Sequence, residues 1–300
     1  MTPWLAFAVV VLGALSLDLF VSRRRGATQS LREALAWMAV WVSLAIAFNV
    51  AVYFWFGPQR ALEFTTSYLV EEALSVDNMF VFFVIFSYFA VPHAYQRRVL
   101  FWGILGALVL RGAFIAGGVA LLEKFQWLIY VFGAFLVFTG IKLFTQEEAR
   151  VEPEKNPVVK MFRRWVPLVP EYAGHRFTVK REGRRYATPL LLVLALVEAT
   201  DVVFALDSIP AVLAITRNPF IVYTSNVFAI LGLRSLYFVV AGMIGGFRFL
   251  HYGLAVVLIF IGVKMLLSKF YEIPTALSLG VVAGVIAVSL AASMVSKTRP

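Results

Sequence analysis

Two stretches of this chain place acids where a run of apolar residues would otherwise continue. One reads Val70-Glu71-Glu72-Ala73-Leu74-Ser75-Val76-Asp77-Asn78, and the other runs from Val197-Glu198-Ala199-Thr200-Asp201 to Leu206-Asp207-Ser208-Ile209-Pro210. Both lie within hydrophobic segments long enough to cross a bilayer, and Arg111 and Arg234 sit near the middle of two more. A charged residue at a helix centre costs roughly 2.5–3.5 kcal/mol on insertion scales, so such groups pair and face the bundle interior. Six carboxylates against two central arginines leave four negative charges; counting Lys142 and Lys264, near segment ends where they can snorkel, still leaves two. A purely structural network should cancel itself, because an unpaired buried charge is costly. The surplus calls for a cation, for protons, or for both.

The donor set narrows the cation. Carboxylates, the Asn78 amide, Ser75, Ser208 and backbone carbonyls are all hard oxygens. The chain has no cysteine, and His93, His175 and His251 fall at or near loops. Copper, zinc and nickel therefore lose their preferred ligands, while an oxygen-only set suits Mn²⁺, Mg²⁺ or Ca²⁺. Met79 could add a soft contact, although a lone methionine usually packs. Glu198 and Asp201, three apart, share a helix face, whereas Asp207 lies about 120° away on a regular helix. Pro210 removes a donor to the Leu206 carbonyl. An unwound stretch over 206–210 would swing Asp207 into the same cavity, as broken helices do in transporters. On the other helix Glu71, Ser75 and Asn78 form one stripe, flanked by Glu72 and Asp77.

The elements that must hold these residues are membrane helices. Of 300 residues, 61% are hydrophobic and 15% charged. Mean hydropathy is +0.84. Soluble domains run to about half apolar and a quarter charged. Nine segments are long enough to span, near 4–21, 34–56, 66–90, 99–121, 126–144, 189–214, 220–245, 249–268 and 275–296. The fold expected is an all-α polytopic membrane protein of nine transmembrane helices. The first segment is not a cleaved signal peptide, because Arg23, Arg24 and Arg25 follow its apolar run. Lys and Arg concentrate after segments 1, 3, 5, 7 and 9, with ten between 145 and 188, against one each in the alternate loops. Positive-inside bias then puts the N-terminus outside and the C-terminus in the cytoplasm. This asymmetry accounts for most of the net charge of +10, so no nucleic-acid partner is expected.

Landmarks recur. Asp77, Leu110-Arg111 and Gly140-Ile141-Lys142 match Asp201, Leu233-Arg234 and Gly262-Val263-Lys264, at offsets of 124, 123 and 122 residues. Each unit has three crossings, an odd number, so the second must be inverted relative to the first, with a site expected at the repeat interface. The organisation expected is two accessory helices (1–60), a first three-helix repeat (61–145), a basic cytoplasmic loop (146–188), a second, inverted repeat (189–271), and a last helix with its tail (272–300). The loop mixes Glu147, Glu148, Glu152 and Glu154 with Lys155 and Lys160, then alternates around Glu182-Gly183 in a pattern suited to a small hairpin. It reads as a topology anchor and linker, and its basic clusters also suit anionic lipid headgroups.

The stretches Glu72 to Phe82 (E-A-L-S-V-D-N-M-F-V-F) and Glu198 to Ala211 (E-A-T-D-V-V-F-A-L-D-S-I-P-A) resemble the two signature segments of the TerC family. So do Leu100-Phe101-Trp102-Gly103, Thr224-Ser225-Asn226-Val227-Phe228-Ala229-Ile230-Leu231-Gly232-Leu233-Arg234 and Gly262-Val263-Lys264, so that the likeness extends from about residue 30 to 270. The resemblance implies a bacterial inner-membrane protein linked to tellurite resistance and, in similar bacterial members, to manganese efflux and metal homeostasis. It implies Mn²⁺ as transported substrate, with Glu72, Asp77, Asn78, Glu198, Asp201, Asp207 and Ser208 as ligands. Glu71, Arg111, Arg234, Lys142 and Lys264 would support the site. Protons are plausible counter-ions, since clustered carboxylates titrate together. Plant relatives linked to thylakoid protein assembly keep open a second reading, a membrane-protein assembly or stress-complex scaffold whose charges only hold helices together. Direct handling of the tellurite oxyanion would need positive charge at the midplane, the opposite of what stands there. The chain has no Gly-rich phosphate loop, ATPase motif or nucleophile–base pair, so it is expected not to be an enzyme, and transport would be secondary.

Overall fold

The structure, a computed structural model, describes residues 2–24, 30–125, 127–145, 157–181, 183–242, 249–271 and 273–297. Among the described residues ten helices and one hairpin run in the order α1 (Thr2–Arg24), α2 (Leu31–Phe56), α3 (Pro58–Tyr88), α4 (His93–Lys124), α5 (Leu128–Thr145), α6 (Pro157–Trp165), β1 (Thr178–Arg181), β2 (Arg184–Ala187), α7 (Pro189–Leu213), α8 (Pro219–Gly242), α9 (Leu250–Leu267) and α10 (Thr275–Lys297). The side chains of Arg23, Arg24 and Asp77, together with Arg25, Arg248, Arg299 and the stretch 146–156, lie outside the described residues.

Local chemistry sets the helix ends. Ser30 and Glu33 form a reciprocal capping box at the start of α2. Gly57 turns at φ +85° and hands over to Pro58, the first residue of α3. The Asn218 side chain accepts from the backbone N–H groups of Phe220 (3.0 Å) and Ile221 (3.3 Å), satisfying two donors that the first turn of α8 cannot pair. α3 therefore starts eight residues before its expected hydrophobic span. Its 31 residues carry Arg60, Glu63, Glu71, Glu72 and Asp77, too many charges for a simple apolar crossing. Five other helices are by themselves long and apolar enough to cross a membrane: α2, α4, α7, α8 and α10.

The distribution of polarity is inverted relative to a soluble protein. Val9, Phe54, Val109 and Val288 point outward, while Glu71, Arg111, Asp201 and Asn226 are buried. Hydrophobic burial cannot drive such helices together in lipid, so close packing must. α3 lies parallel to α8, with Phe64 on Phe228, Glu72 beside Gly232 and Phe86 on Tyr237. α4 lies parallel to α7, with Gly103 on Val197, Gly106 on Glu198 and Gly118 on Leu213. α5 and α9 cross antiparallel through reciprocal small residues. A methyl added at Gly262 would sit 2.7 Å from the Gly133 carbonyl oxygen, and one at Gly140 would sit 2.8 Å from that of Ala255.

The connection before α7 folds as a cap. β1 and β2 pair antiparallel from Thr178↔Ala187 to Arg181↔Arg184, with Gly183 at φ +79° in the turn, so the hairpin expected there is formed. Val159, Phe162, Leu168, Tyr172 and Phe177 pack onto the core at the α3–α4 turn. Tyr172 Oη donates to the Phe89 carbonyl at 2.7 Å, and Arg98 lies over the Phe177 ring at 5.1 Å. Burial of Tyr172 pushes its phenol up to about 12.

One expectation is corrected here. α7 runs without a break through Pro210 to Leu213. The proline falls in the last turn, where only the Leu206 carbonyl loses its donor and few residues remain to be kinked, so no unwound stretch forms over 206–210.

Candidate acidic site

Arg111 of α4 joins the two signature helices. Its Nη1 pairs with Glu71 Oε1 of α3. Its Nη2 donates to Asp201 Oδ1 of α7 at 3.0 Å and its Nε to Asp201 Oδ2 at 3.3 Å. All three side chains are buried: Arg111 is 1% exposed, Glu71 0% and Asp201 4%. The guanidinium fork permits this, gripping one carboxylate with two N–H groups while a third reaches the other. The glycines of α4 at 103, 106 and 118 make the approach possible, since α7 side chains fill the space where a Cβ would stand. The triad carries two formal negative charges and one positive.

Glu198 stands one turn before Asp201 with its carboxylate laid on Gly106. Its Oε2 is buried without a hydrogen-bond donor. Glu72, next to Glu71 but about 100° further round α3, faces another way, towards Gly232 of α8 near Met38 and Trp41 of α2. Both of its oxygens are buried, with the Tyr68 hydroxyl one turn earlier on α3 as the nearby donor. Ser208, seven residues beyond Asp201, continues the Asp201 face of α7. It is buried, with an unpartnered Oγ. Asp207 is half-buried on a different face. Asn78 is buried on α3, and Met79 is packed in the apolar core beside Phe82 and Ile85.

The two arginines do not occupy one layer. α4 and α8 are antiparallel, Gly112 meeting Tyr223 and Gln96 meeting Tyr237. Arg111 is therefore level with about residue 224 of α8, and Arg234 lies about 15 Å further along, at 1.5 Å per residue. The two matched arginines therefore stand at different levels along the bundle, because matched positions on antiparallel helices diverge from their crossing point. Lys142 is exposed near the end of α5. Lys264 donates to Ser278 Oγ of α10 at 2.9 Å, within electrostatic reach of Glu63. Among the described residues, no three of His, Asp and Glu converge closely enough to hold a metal ion. Glu71, Asp201 and Glu198 lie where α3, α4 and α7 meet, and Glu72 stands apart towards α8 and α2.

Several participants were not singled out from the sequence. Glu63 is buried and accepts from Arg60 Nη1 (2.6 Å), Thr216 Oγ1 (2.6 Å) and Gln59 Nε2 (3.3 Å). Ser67 and Tyr68 add buried hydroxyls to α3, and the Asn226 amide of α8 is buried with neither atom hydrogen-bonded. The signal was present in part. Ser67 extends the stripe of Glu71 and Ser75 by one turn, and Asn226 is an amide in the middle of a membrane helix.

Residues 56–300 match the Integral membrane protein TerC family. A Myxococcus xanthus membrane protein, STKORF319, is 51% identical over 97% of this chain and 92% of its own. Alx of Escherichia coli (strain K12), described as a candidate membrane-bound redox modulator, is 49% identical over 94% of this chain and 91% of its own. A Rickettsia bellii membrane protein is 37% identical over 98% and 97%. No solved structure matches the chain. With a family match over most of its length and relatives aligned nearly end to end, the chain belongs to the TerC family of integral membrane proteins.

Proposed function

We propose that this protein is a secondary transporter of the bacterial inner membrane that exports a divalent cation, with Mn²⁺ as the first candidate, through an acidic site between two inverted three-helix repeats. The carrying observation is the sharing of one buried arginine by Glu71 and Asp201, with Glu198 one turn before Asp201 and its Oε2 buried without a donor. Such an excess of negative charge in a low-dielectric seam is stable only when a cation or protons compensate it. The ligands are hard oxygens, and a hydrated divalent ion brings waters to complete its shell.

The helix directions support nine crossings, made by α1–α5 and α7–α10. α3 with α8 and α4 with α7 are parallel, while α5 with α9, α4 with α8 and α9 with α10 are antiparallel, as strict alternation requires. Exchanging α3 with α7, α4 with α8 and α5 with α9 carries this set of repeat pairings onto itself, the relation expected of repeats about a pseudo-twofold axis in the membrane plane. The N-terminus is then outside and the cap cytoplasmic. Protons entering the vacated carboxylates are the natural counter-ion. Since the chain has no cysteine, thiol exchange by its own side chains is not open to it. The scaffold reading draws on the absence of a closed three-ligand shell among the described residues. The two separate in cells. Asp201→Asn and Glu71→Gln should leave the protein in the membrane yet raise cellular manganese to the level of a strain lacking it, and unchanged efflux in both variants would favour the scaffold.

A further inference from the structure

Along α3 the residues Glu63, Ser67, Glu71, Ser75 and Asn78 follow one another at spacings of four, four, four and three, so they hold one face of the helix. All five are buried. From Glu63 to Asn78 the stripe spans about 22 Å of a hydrocarbon core about 30 Å thick. In a dry helix contact, serine and threonine hydroxyls turn back to the carbonyl one turn earlier. Thr65, Thr66, Thr200, Thr224, Ser225, Ser289 and Ser293 all do so here. Ser67 and Ser75, fully buried on the stripe, do not, and their hydroxyls have no protein partner. Buried polar groups left without protein partners in this way mark places for water or an ion.

The stripe changes character beyond Asn78. The next two positions at the same spacing are Phe82 and Phe86, both buried, with Phe86 edge-on to Tyr237 at 5.3 Å. Beyond them the cap closes over the α3–α4 turn. At the opposite end Glu63 lies beside the partly exposed Arg60, tied to Thr216 on the α7–α8 connection, while Gln59 reaches Thr275 at the start of α10. Polar lining therefore runs from the beginning of α3 to the Glu71–Arg111–Asp201 triad and stops at an aromatic plug.

We propose that the buried α3 stripe is a hydrated path for cations, open from the membrane face where α3 begins to the central acids and shut on the other face by Phe82 and Phe86. The path rests on the transport reading above and adds a route and a sidedness to it.

The test uses the full-length chain in proteoliposomes, where the natural absence of cysteine leaves a silent background. Ser67→Cys and Ser75→Cys exchange one atom and should fold. Both should react with the impermeant cationic reagent 2-(trimethylammonium)ethyl methanethiosulfonate added on the α3-start face. Phe82→Cys and Phe86→Cys should resist it, and the exposed Arg217→Cys serves as the positive control. Because Glu63 and Glu71 line the path, an anionic sulfonate analogue should be slowed, relative to the cationic reagent, about tenfold more at Ser67→Cys and Ser75→Cys than at Arg217→Cys. Inert Ser67→Cys and Ser75→Cys beside a reactive Arg217→Cys overturn the path, as does labelling of Phe82→Cys at the rate of Ser75→Cys. Mn²⁺ separates the two claims. Labelling that Mn²⁺ does not slow keeps the path and removes manganese as its cargo, whereas no labelling in variants that still export Mn²⁺ removes the path alone.

Discussion

Replacing Arg111 with leucine takes away the cation that holds Glu71 and Asp201 together and leaves two buried acids without it. Breaking a buried ion pair by removing one partner costs about 3–5 kcal/mol, most of it the stranded charge. Arg111→Lys keeps the charge but offers a single ammonium where the fork now makes contacts of 3.0 and 3.3 Å to Asp201 as well as reaching Glu71. One hydrogen bond to a charged group is worth about 1.5–3 kcal/mol, so the lysine variant should lose about 2 kcal/mol, less than leucine. Reversible unfolding of the purified protein in mixed micelles measures both. Adding Asp201→Asn to Arg111→Leu neutralises one stranded acid and should restore about 1 kcal/mol or more as a coupling energy. If leucine and lysine are equally tolerated, or if the cycle gives no coupling, the guanidinium does not bind these acids and the seam as described is wrong.

At the α5–α9 crossing, Gly262→Ala would put a methyl 2.7 Å from the Gly133 carbonyl and 2.9 Å from Val137 N, backbone atoms that cannot yield singly. It should cost about 1–3 kcal/mol in the same unfolding assay, while Gly13→Ala, which meets nothing within 4 Å, should be neutral or better. Gly106→Ala meets first the flexible Glu198 carboxylate, so it should leave stability within about 1 kcal/mol yet reduce cation flux by displacing that acid. For the cap, Tyr172 is pushed up to about 12 from 10 by burial, so the folded state favours the neutral phenol. Its stabilising contribution is complete below pH 10 and is lost as pH rises through 12. The tyrosinate absorbance difference between wild type and Tyr172→Phe should therefore titrate near 12, and a midpoint near 10 would mean the cap is not packed.

The sequence was informative wherever one helix decides the outcome. Apolar runs located the long helices, and the Glu182-Gly183 turn between alternating strands located the hairpin. The α3 boundary at Pro58 was missed because a hydropathy reading penalises Arg60 and Glu63, the residues that anchor its first turns. Pro210 carried the right chemistry in the wrong place, too near the helix end to unwind it. The acids and arginines were recognisable by type and depth, but the sharing of Arg111 between Glu71 and Asp201 depends on three helices meeting, with 90 residues separating Arg111 from Asp201. Ser67 looked ordinary because a serine in a membrane helix usually bonds its own backbone.

Purified protein reconstituted into sealed vesicles, with internal cation read by a fluorescent indicator, addresses the central claim most directly. Wild type should carry Mn²⁺ well above protein-free vesicles, Mg²⁺ and Ca²⁺ more slowly, and tellurite not at all, and Asp201→Asn should reduce the Mn²⁺ signal to that of empty vesicles. Wild-type flux no greater than in empty vesicles, or tellurite moving in place of Mn²⁺, would contradict an acidic cation path through this fold.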